Sequence, residues 1–216
     1  MTERELRIAI IATARAMNAA GINRGMSGNV SARVRTGAKD GFLITPTGMP
    51  YETTTPDDIV AVTLDGEVHG TRLPSSEWRF HRELYRARAD IHAIVHVHAP
   101  FATTLACLHR GIPAFHYMVA KVGGRDIRCA PYATFGSDEL ANHAVEAMVD
   151  RRACLLANHG MIAAGNDLEA ALALAVEVEG LAEMYWRALQ LGEPEILSDA
   201  EMDGVIEKFR TYGQQR

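Results

Sequence analysis

The sequence predicts one α/β domain, a sheet sandwiched by helices. Three observations carry this reading. Helical patterns with capping signals alternate along the chain with short apolar or β-branched runs, rather than falling into separate blocks. The 216 residues suffice for one large domain and show no internal repeat, low-complexity stretch or linker, so the domain is taken as 1–216. Hydrophobic residues make up 48% and charged residues 23%, the balance of a globular protein with a sizeable core.

Composition also excludes partners. The net charge of -5 and pI of about 6.0 give no basic footprint for nucleic acid or an anionic membrane. No run of 18 apolar residues occurs, and Glu177 and Glu179 interrupt the most apolar helical stretch, so no membrane span is expected. The N-terminus lacks a signal-peptide layout, and the expected location is the cytoplasm. Cys107, Cys129 and Cys154 are odd in number and lack CxxC spacing. They read as small buried residues in a reducing compartment, not as a disulfide framework.

The elements follow in order. Thr2 to Ala20 reads as a helix, with Thr2 and Glu5 at capping-box spacing, Leu6, Ile10 and Met17 on one stripe, and Gly21 as the stop. The loop Asn23 to Asn29 has two glycines and small polar residues, suiting either a plain turn or an anion, before a strand near Val30 to Val34. Phe42 to Thr45 is a strand ending in the turn Thr45-Pro46-Thr47-Gly48, a second weak anion-loop candidate. Thr55-Pro56-Asp57-Asp58 resembles a helix start, and Ile59 to Leu64 with Glu67 to His69 reads as a hairpin across Asp65-Gly66.

Leu73 to Glu77 opens a helix running to about Ala89, with Phe80, Leu84 and Ala87 as its apolar stripe. Ser75 and Ser76 at its start suit a phosphate. Glu77 has two readings: a complement to the helix dipole, or an acid/base beside a metal. Further on come a short helix from Pro100 to Leu108, a strand near Ile127 to Ala130, an aromatic loop Pro131 to Gly136, and a Ser137-capped helix to about Asp150. Two apolar strand segments, Ala153 to Ala157 and Met161 to Ala164, flank Asn158-His159-Gly160. Asn166 and Glu169 form a capping box for a long, largely buried helix with Glu179, Glu183 and Arg187 at i,i+4 spacing. Ser198 and Glu201 begin the last helix, ending near Tyr212-Gly213.

The chemistry centres on Ile91 to Pro100. Read as a strand, it places Ile91, Ala93, Val95 and Val97 on one face and His92, Ile94, His96 and His98 on the other. A buried strand does not carry imidazoles without partners. His96 and His98 are one pleat repeat apart and can grip one metal ion, with His159, aimed by its Asn and Gly neighbours, as third ligand. His92 is expected beside the site or in the core, and His69, His81, His109, His116 and His143 are structural or solvent-facing. Three neutral ligands leave a 2+ charge undamped and a coordination position open, the catalytic pattern. Imidazole sites accept Zn²⁺, Mn²⁺ and Co²⁺. With three hydroxyl- and glycine-rich loops, the set fits proton abstraction beside the carbonyl of a phosphorylated substrate.

Several segments together resemble the class II aldolase/adducin-head family, most closely its fuculose-like branch. They are Ser27-Gly28-Asn29-Val30-Ser31, Leu43 to Gly48, Pro74 to His81, Val95 to Ala99, His116-Tyr117-Met118 and Ala130 to Gly136. The resemblance covers essentially the whole chain. It implies a three-layer α/β/α fold with a central, mainly antiparallel sheet. It implies one Zn²⁺ per subunit on His96, His98 and His159, with Glu77 as acid/base. Gly28, Asn29, Thr47, Gly48, Ser75 and Ser76 would form the phosphate pocket. The implied assembly is a homotetramer with active sites at subunit contacts, where Tyr117 reaches a neighbouring site and Phe135 and Tyr212 shape the aldehyde pocket. The implied reaction is reversible cleavage of a sugar 1-phosphate, such as L-fuculose 1-phosphate or a related deoxyketose phosphate, to dihydroxyacetone phosphate and a small aldehyde through a zinc-stabilised enediolate. The same family includes sugar-phosphate 4-epimerases, decarboxylases and methylthioribulose-phosphate dehydratases, and non-catalytic adducin-like assembly heads.

Overall fold

The computed structural model describes residues 1–36 and 39–211. Eight strands form one sheet: β1 Asn29–Thr36, β2 Lys39–Ile44, β3 Val60–Thr63, β4 Val68–His69, β5 Ala93–Val97, β6 Cys129–Ala130, β7 Ala153–Leu156 and β8 Gly160–Gly165. Their order is β4-β3-β2-β1-β5-β8-β7-β6. Every pair is antiparallel except β6 with β7.

Among the described residues six α-helices cover the sheet: α1 Glu3–Ala19, α2 Trp78–Ala87, α3 Pro100–Cys107, α4 Asp138–Ala147, α5 Leu168–Leu191 and α6 Asp199–Phe209. Alternation along the strands splits the core in two. Val30, Ala32, Leu43, Val95, Val97, Leu155 and Met161 face a cluster with residues of α1, α3, α5 and α6. Phe42, Ile44, Val62, Ile94, Leu156 and Ile162 face a second cluster with Phe80, Leu84 and Tyr85 of α2 and Leu140 and Ala144 of α4. This is the expected three-layer α/β/α domain with a mainly antiparallel sheet.

Capping signals set the helix ends. Thr2 and Glu5 make a reciprocal capping box at α1, as do Ser198 and Glu201 at α6. Ser137 caps α4 by accepting from the Leu140 N–H. At α5 the cap is Asp167, not Asn166: the Asp167 side chain accepts from the Ala170 N–H at 2.7 Å. Pro56–Asp58 closes only a 3₁₀ turn, because the chain enters β3 immediately afterwards.

Other expectations are corrected. The buried stripe of α2 is Phe80, His81, Leu84 and Tyr85, whereas Ala87 is exposed at the helix end. His92 is exposed, because β5 begins only at Ala93. Cys154 is buried, but Cys129 is half-buried and Cys107 exposed; all three are free thiols. Glu183 pairs with Arg187, but Glu179 turns to the N-terminus of α3, accepting from the Phe101 and Ala102 N–H groups at 2.8 Å each. Among the described residues no helix is long and apolar enough to cross a membrane.

Candidate metal centre

β5, lying between β1 and β8, carries the first ligand. His96 points to the α2 side and is fully buried. His98 stands one residue past the strand end on the same side, its ring centroid 5.0 Å from that of His96. The third imidazole comes from the tight β7–β8 turn. Asn158 takes φ +54° there, a conformation Asn tolerates better than most residues. Its N–H donates to the Ala106 carbonyl at 3.1 Å, and its Oδ1 accepts from His109 Nε2 at 2.5 Å. The clamped turn sets the His159 ring 4.9 Å from His96 and 5.0 Å from His98. Gly160 is required at the next position. A Cβ there would lie 2.5 Å from the Val97 carbonyl oxygen and 2.8 Å from His98 Cδ2.

Glu77 is the N-cap residue of α2 but makes no capping hydrogen bond with its side chain. The side chain therefore does not cap the helix by hydrogen bonding. The carboxylate turns inward, with Oε2 3.0 Å from His96 Nε2 and Oε1 3.1 Å from His159 Nε2. Ligand atoms of Glu77, His96, His98 and His159 all lie within 4.8 Å of one another.

The donor chemistry fits a cation. His96 Nδ1 is 2.9 Å from the Met161 carbonyl oxygen, which only accepts, so Nδ1 carries the proton. In the neutral ring, Nε2 is then a bare lone pair, facing His98 Nε2 at 3.1 Å and the Glu77 carboxylate. Burial, with the neighbouring imidazoles, lowers His98 to about 4, which keeps it neutral and available as a ligand. Burial works to raise the Glu77 carboxyl, but positive charge on the His96 and His159 rings, when these are protonated, outweighs it and holds the group below the usual carboxylate range. Glu77 Oε1 is buried and, despite its closeness to His159, has no hydrogen bond. Lone pairs aimed at one point and an orphaned carboxylate oxygen are what a divalent ion satisfies.

The hydroxyl loops gather at the same end of the sheet. Thr45 N–H donates to the Val30 carbonyl, Thr47 N–H to Leu73 and Ser75 N–H to Thr45, so the segments at 28–30, 45–48 and 73–76 form one rim. Gly28 is pressed so close to β5 that a Cβ would lie 2.5 Å from the His96 carbonyl oxygen. Thr47, Gly48 and Ser76 are exposed, while Ser75 is buried with its Oγ accepting from the Glu77 N–H at 3.3 Å. α2 starts at Trp78, so both serines precede the helix instead of lying in its first turn. A cleft of about 300 Å³ opens here, lined by Ser76, Glu77, His98, Tyr132, Phe135 and His159. A larger groove of about 660 Å³ runs between α1 and the start of α5; it borders His92 but none of the metal group, so the chemistry belongs to the smaller cleft.

Residues 8–186 match the family described as Class II Aldolase and Adducin N-terminal domain. The chain belongs to this family. It is 57% identical over 208 residues to the 5-methylthioribulose-1-phosphate/5-deoxyribulose-1-phosphate aldolase of Rhodospirillum rubrum, covering 96% of this chain and 92% of that protein. It is 49% identical over 214 residues to the L-fuculose phosphate aldolase of Escherichia coli, covering 99% and 98%. A solved structure titled L-fuculose 1-phosphate aldolase superposes with a TM-score of 0.90 at 42% identity, covering 95% of this chain and 96% of that one.

Within this chain, some expected site residues lie apart. Tyr117 begins a 3₁₀ segment, is 48% exposed, stacks on Phe209 of α6 and does not line the cleft. Phe135 does line it and is exposed. Tyr212 falls outside the described residues. The side chain of Asn29 faces inward, its Nδ2 donating to Glu77 Oε2 at 3.2 Å. Sequence reasoning missed Ser31, His81 and Tyr85, which form a buried polar group behind Glu77. Burial lowers His81 to about 3 and pushes the Tyr85 phenol up, so both are neutral. The signal was available as Glu77, His81 and Tyr85 at i, i+4, i+8 against Asn29, Ser31 and Arg33 at strand period 2.

Proposed function

We propose that this chain is a metal-dependent aldolase that reversibly cleaves a ketose 1-phosphate to dihydroxyacetone phosphate and a small aldehyde. The observation that carries this is the convergence of His96, His98 and His159 on a buried carboxylate that has an orphaned oxygen, at a cleft rimmed by hydroxyl loops. Family membership and the names of the relatives agree with it. A non-catalytic assembly head would have no use for such a carboxylate.

Gly28, Asn29, Thr47, Gly48, Ser75 and Ser76 anchor the phosphate, Asn29 through its backbone because its side chain serves Glu77. Anchoring fixes the carbon beside the carbonyl within reach of Glu77. A divalent ion on the three imidazoles, Zn²⁺ first among those the donors accept, supplies electrophilic polarisation of the substrate carbonyl. In the condensation direction Glu77 removes the proton from that carbon; in cleavage it returns it. Tyr132 and Phe135 at the cleft mouth offer apolar surface to the far end of the sugar. The sugars named for the two relatives end there in a methyl or methylthio group, so the substrate class is a ketose 1-phosphate with an apolar terminus. In a cyclic homotetramer, the exposed Tyr117 reaches a neighbouring cleft and moves the proton of the aldehyde oxygen.

The test is Glu77→Gln, assayed for bound metal and for dihydroxyacetone phosphate release from L-fuculose 1-phosphate and 5-deoxyribulose 1-phosphate. Retained metal with cleavage reduced by at least about 100-fold supports the assignment. Retained metal with near-full cleavage makes the assigned base wrong. A wild-type chain that binds metal but cleaves neither sugar points to the epimerase, decarboxylase or dehydratase members of the family.

A further inference from the structure

β1 and α2 face one another across the α2 side of the sheet, and their repeats match. Alternate strand residues advance about 6.6 Å and a helix advances about 6 Å in four residues. Asn29, Ser31 and Arg33 therefore run level with Glu77, His81 and Tyr85, and the two columns interdigitate. Asn29 Nδ2 is 3.2 Å from Glu77 Oε2. His81 Nε2 is 2.5 Å from Asn29 Oδ1. Ser31 Oγ is 2.7 Å from His81 Nδ1 and 2.8 Å from the Tyr85 hydroxyl. Arg33 closes the far end, its guanidinium 5.0 Å from the Tyr85 ring centroid and bonded to the Tyr85, Arg88 and Ile91 carbonyls. Asn29, Ser31, His81 and Tyr85 are at most 2% exposed.

The direction of every hydrogen bond in this column follows from its first member. An ionised carboxylate only accepts, so the Asn29 amide presents nitrogen to Glu77 and oxygen to His81. His81 must then carry its proton on Nε2, which leaves Nδ1 as an acceptor. Ser31 donates to Nδ1, and its oxygen is free to accept from the Tyr85 hydroxyl. Every donor dipole points toward Glu77, and such chains polarise one another.

We propose that His81 and Ser31 are positioning residues which, through Asn29, hold Glu77 Oε2 as a fixed acceptor and leave Oε1 turned toward His159 and the cleft. Without the His81 donor, the Asn29 amide loses the bond that fixes its orientation. It can then rotate its oxygen toward the carboxylate, and Glu77 loses its one side-chain donor outside the imidazoles. The kinetic part of this inference rests on Glu77 acting as the proton-transfer group; the order of the hydrogen bonds does not.

Two measurements test it. The first is the tautomer of His81 in the zinc-loaded protein, read from the ¹⁵N shifts of the labelled imidazole. A single Nε2–H form with a bare Nδ1 is expected; an Nδ1–H form or an imidazolium overturns the proposal. The second compares His81→Gln, which keeps a donor near the Nε2 position, with His81→Phe, which keeps the ring packing on Phe80 but has no donor. The expected result is most of kcat for His81→Gln, and for His81→Phe a loss on the order of 10- to 100-fold in kcat with KM and bound zinc unchanged. Equal kcat losses, or a loss confined to KM, overturn the positioning role. If His81→Phe does not fold, or no sugar phosphate is cleaved, the tautomer still decides the hydrogen-bond order, and only the latter result counts against the proposed reaction.

Discussion

Gly160→Ala asks whether close packing of β8 on β5 is what sets the three imidazoles. The glycine has an ordinary backbone conformation, since it is not among the residues with positive φ, so the effect of the substitution is steric. Ordinary contact begins near 3.4 Å, whereas the new Cβ would sit 2.5 Å from the Val97 carbonyl oxygen and 2.8 Å from His98 Cδ2. The shortfalls are about 0.9 Å at the backbone and about 0.6 Å at the ring, several times the ±0.2 Å tolerance of a metal–ligand distance. The backbone oxygen belongs to a central strand and yields only if the β5–β8 pairing opens. Overpacking of this kind costs about 1–3 kcal/mol, or roughly 2–12 °C in Tm for a chain of this size. Displacement of His98 should weaken metal binding on the order of 10- to 100-fold. The assays are thermal melting of the metal-free protein and zinc competition against a chromogenic chelator. Gly180→Ala is the control: a Cβ meets nothing within 4 Å at that position in α5, and the substitution should stabilise by about 0.4–1 kcal/mol. Gly160→Ala with wild-type zinc affinity would refute the reasoning.

Three further outcomes follow from the same geometry. Asn158→Gly should keep the left-handed turn but lose the His109 bond, whereas Asn158→Ala also adds strain of about 1 kcal/mol, so zinc affinity measured by the same competition should fall in the order wild type, Gly, Ala. Glu179→Ala leaves the Phe101 and Ala102 N–H groups at the start of α3 without their acceptors and should cost about 1–3 kcal/mol by urea unfolding; an unchanged midpoint would contradict the capping role. His81 is depressed from 6.5 to about 3 chiefly by burial, so its neutral form is favoured in the fold. Its stability contribution is complete above pH 6.5 and is lost as pH falls toward 3, at about 1.4 kcal/mol per pH unit. In metal-free protein His81→Gln should show a shallower loss of stability between pH 7 and 5 than wild type; equal slopes would mean that His81 does not titrate on unfolding.

Much of the architecture was legible because local signals and burial agree. The Thr2/Glu5 and Ser198/Glu201 boxes appear where spacing placed them, and the alternation that put His96 opposite Val95 and Val97 is the alternation of the two core clusters. His159 was legible because an Asn-His-Gly triplet between two apolar strands has little purpose other than a tight turn. Other residues depend on which element lies opposite, and one strand or helix read alone does not contain that. His81 has no ligand spacing and becomes informative only when α2 is laid on β1, level with Asn29 and Ser31. Glu179 reads in sequence as one member of an i,i+4 charge series with Glu183 and Arg187, and only the position of α3, whose N-terminus points at it, gives it a different partner. Asn166 and Asp167 are both good caps, and the turn out of β8 decides between them. His92 satisfied the strand pattern but lies just before β5, where that face opens to solvent.

The most direct test of the proposed chemistry is a zinc titration of dialysed, metal-stripped protein, following dihydroxyacetone phosphate release from 5-deoxyribulose 1-phosphate and L-fuculose 1-phosphate. The account predicts negligible release without metal and a rise that saturates at about one equivalent of zinc per chain, as expected for a single site of three imidazoles and one carboxylate. Release that ignores zinc, or one equivalent of bound zinc with no release from either sugar, would contradict it.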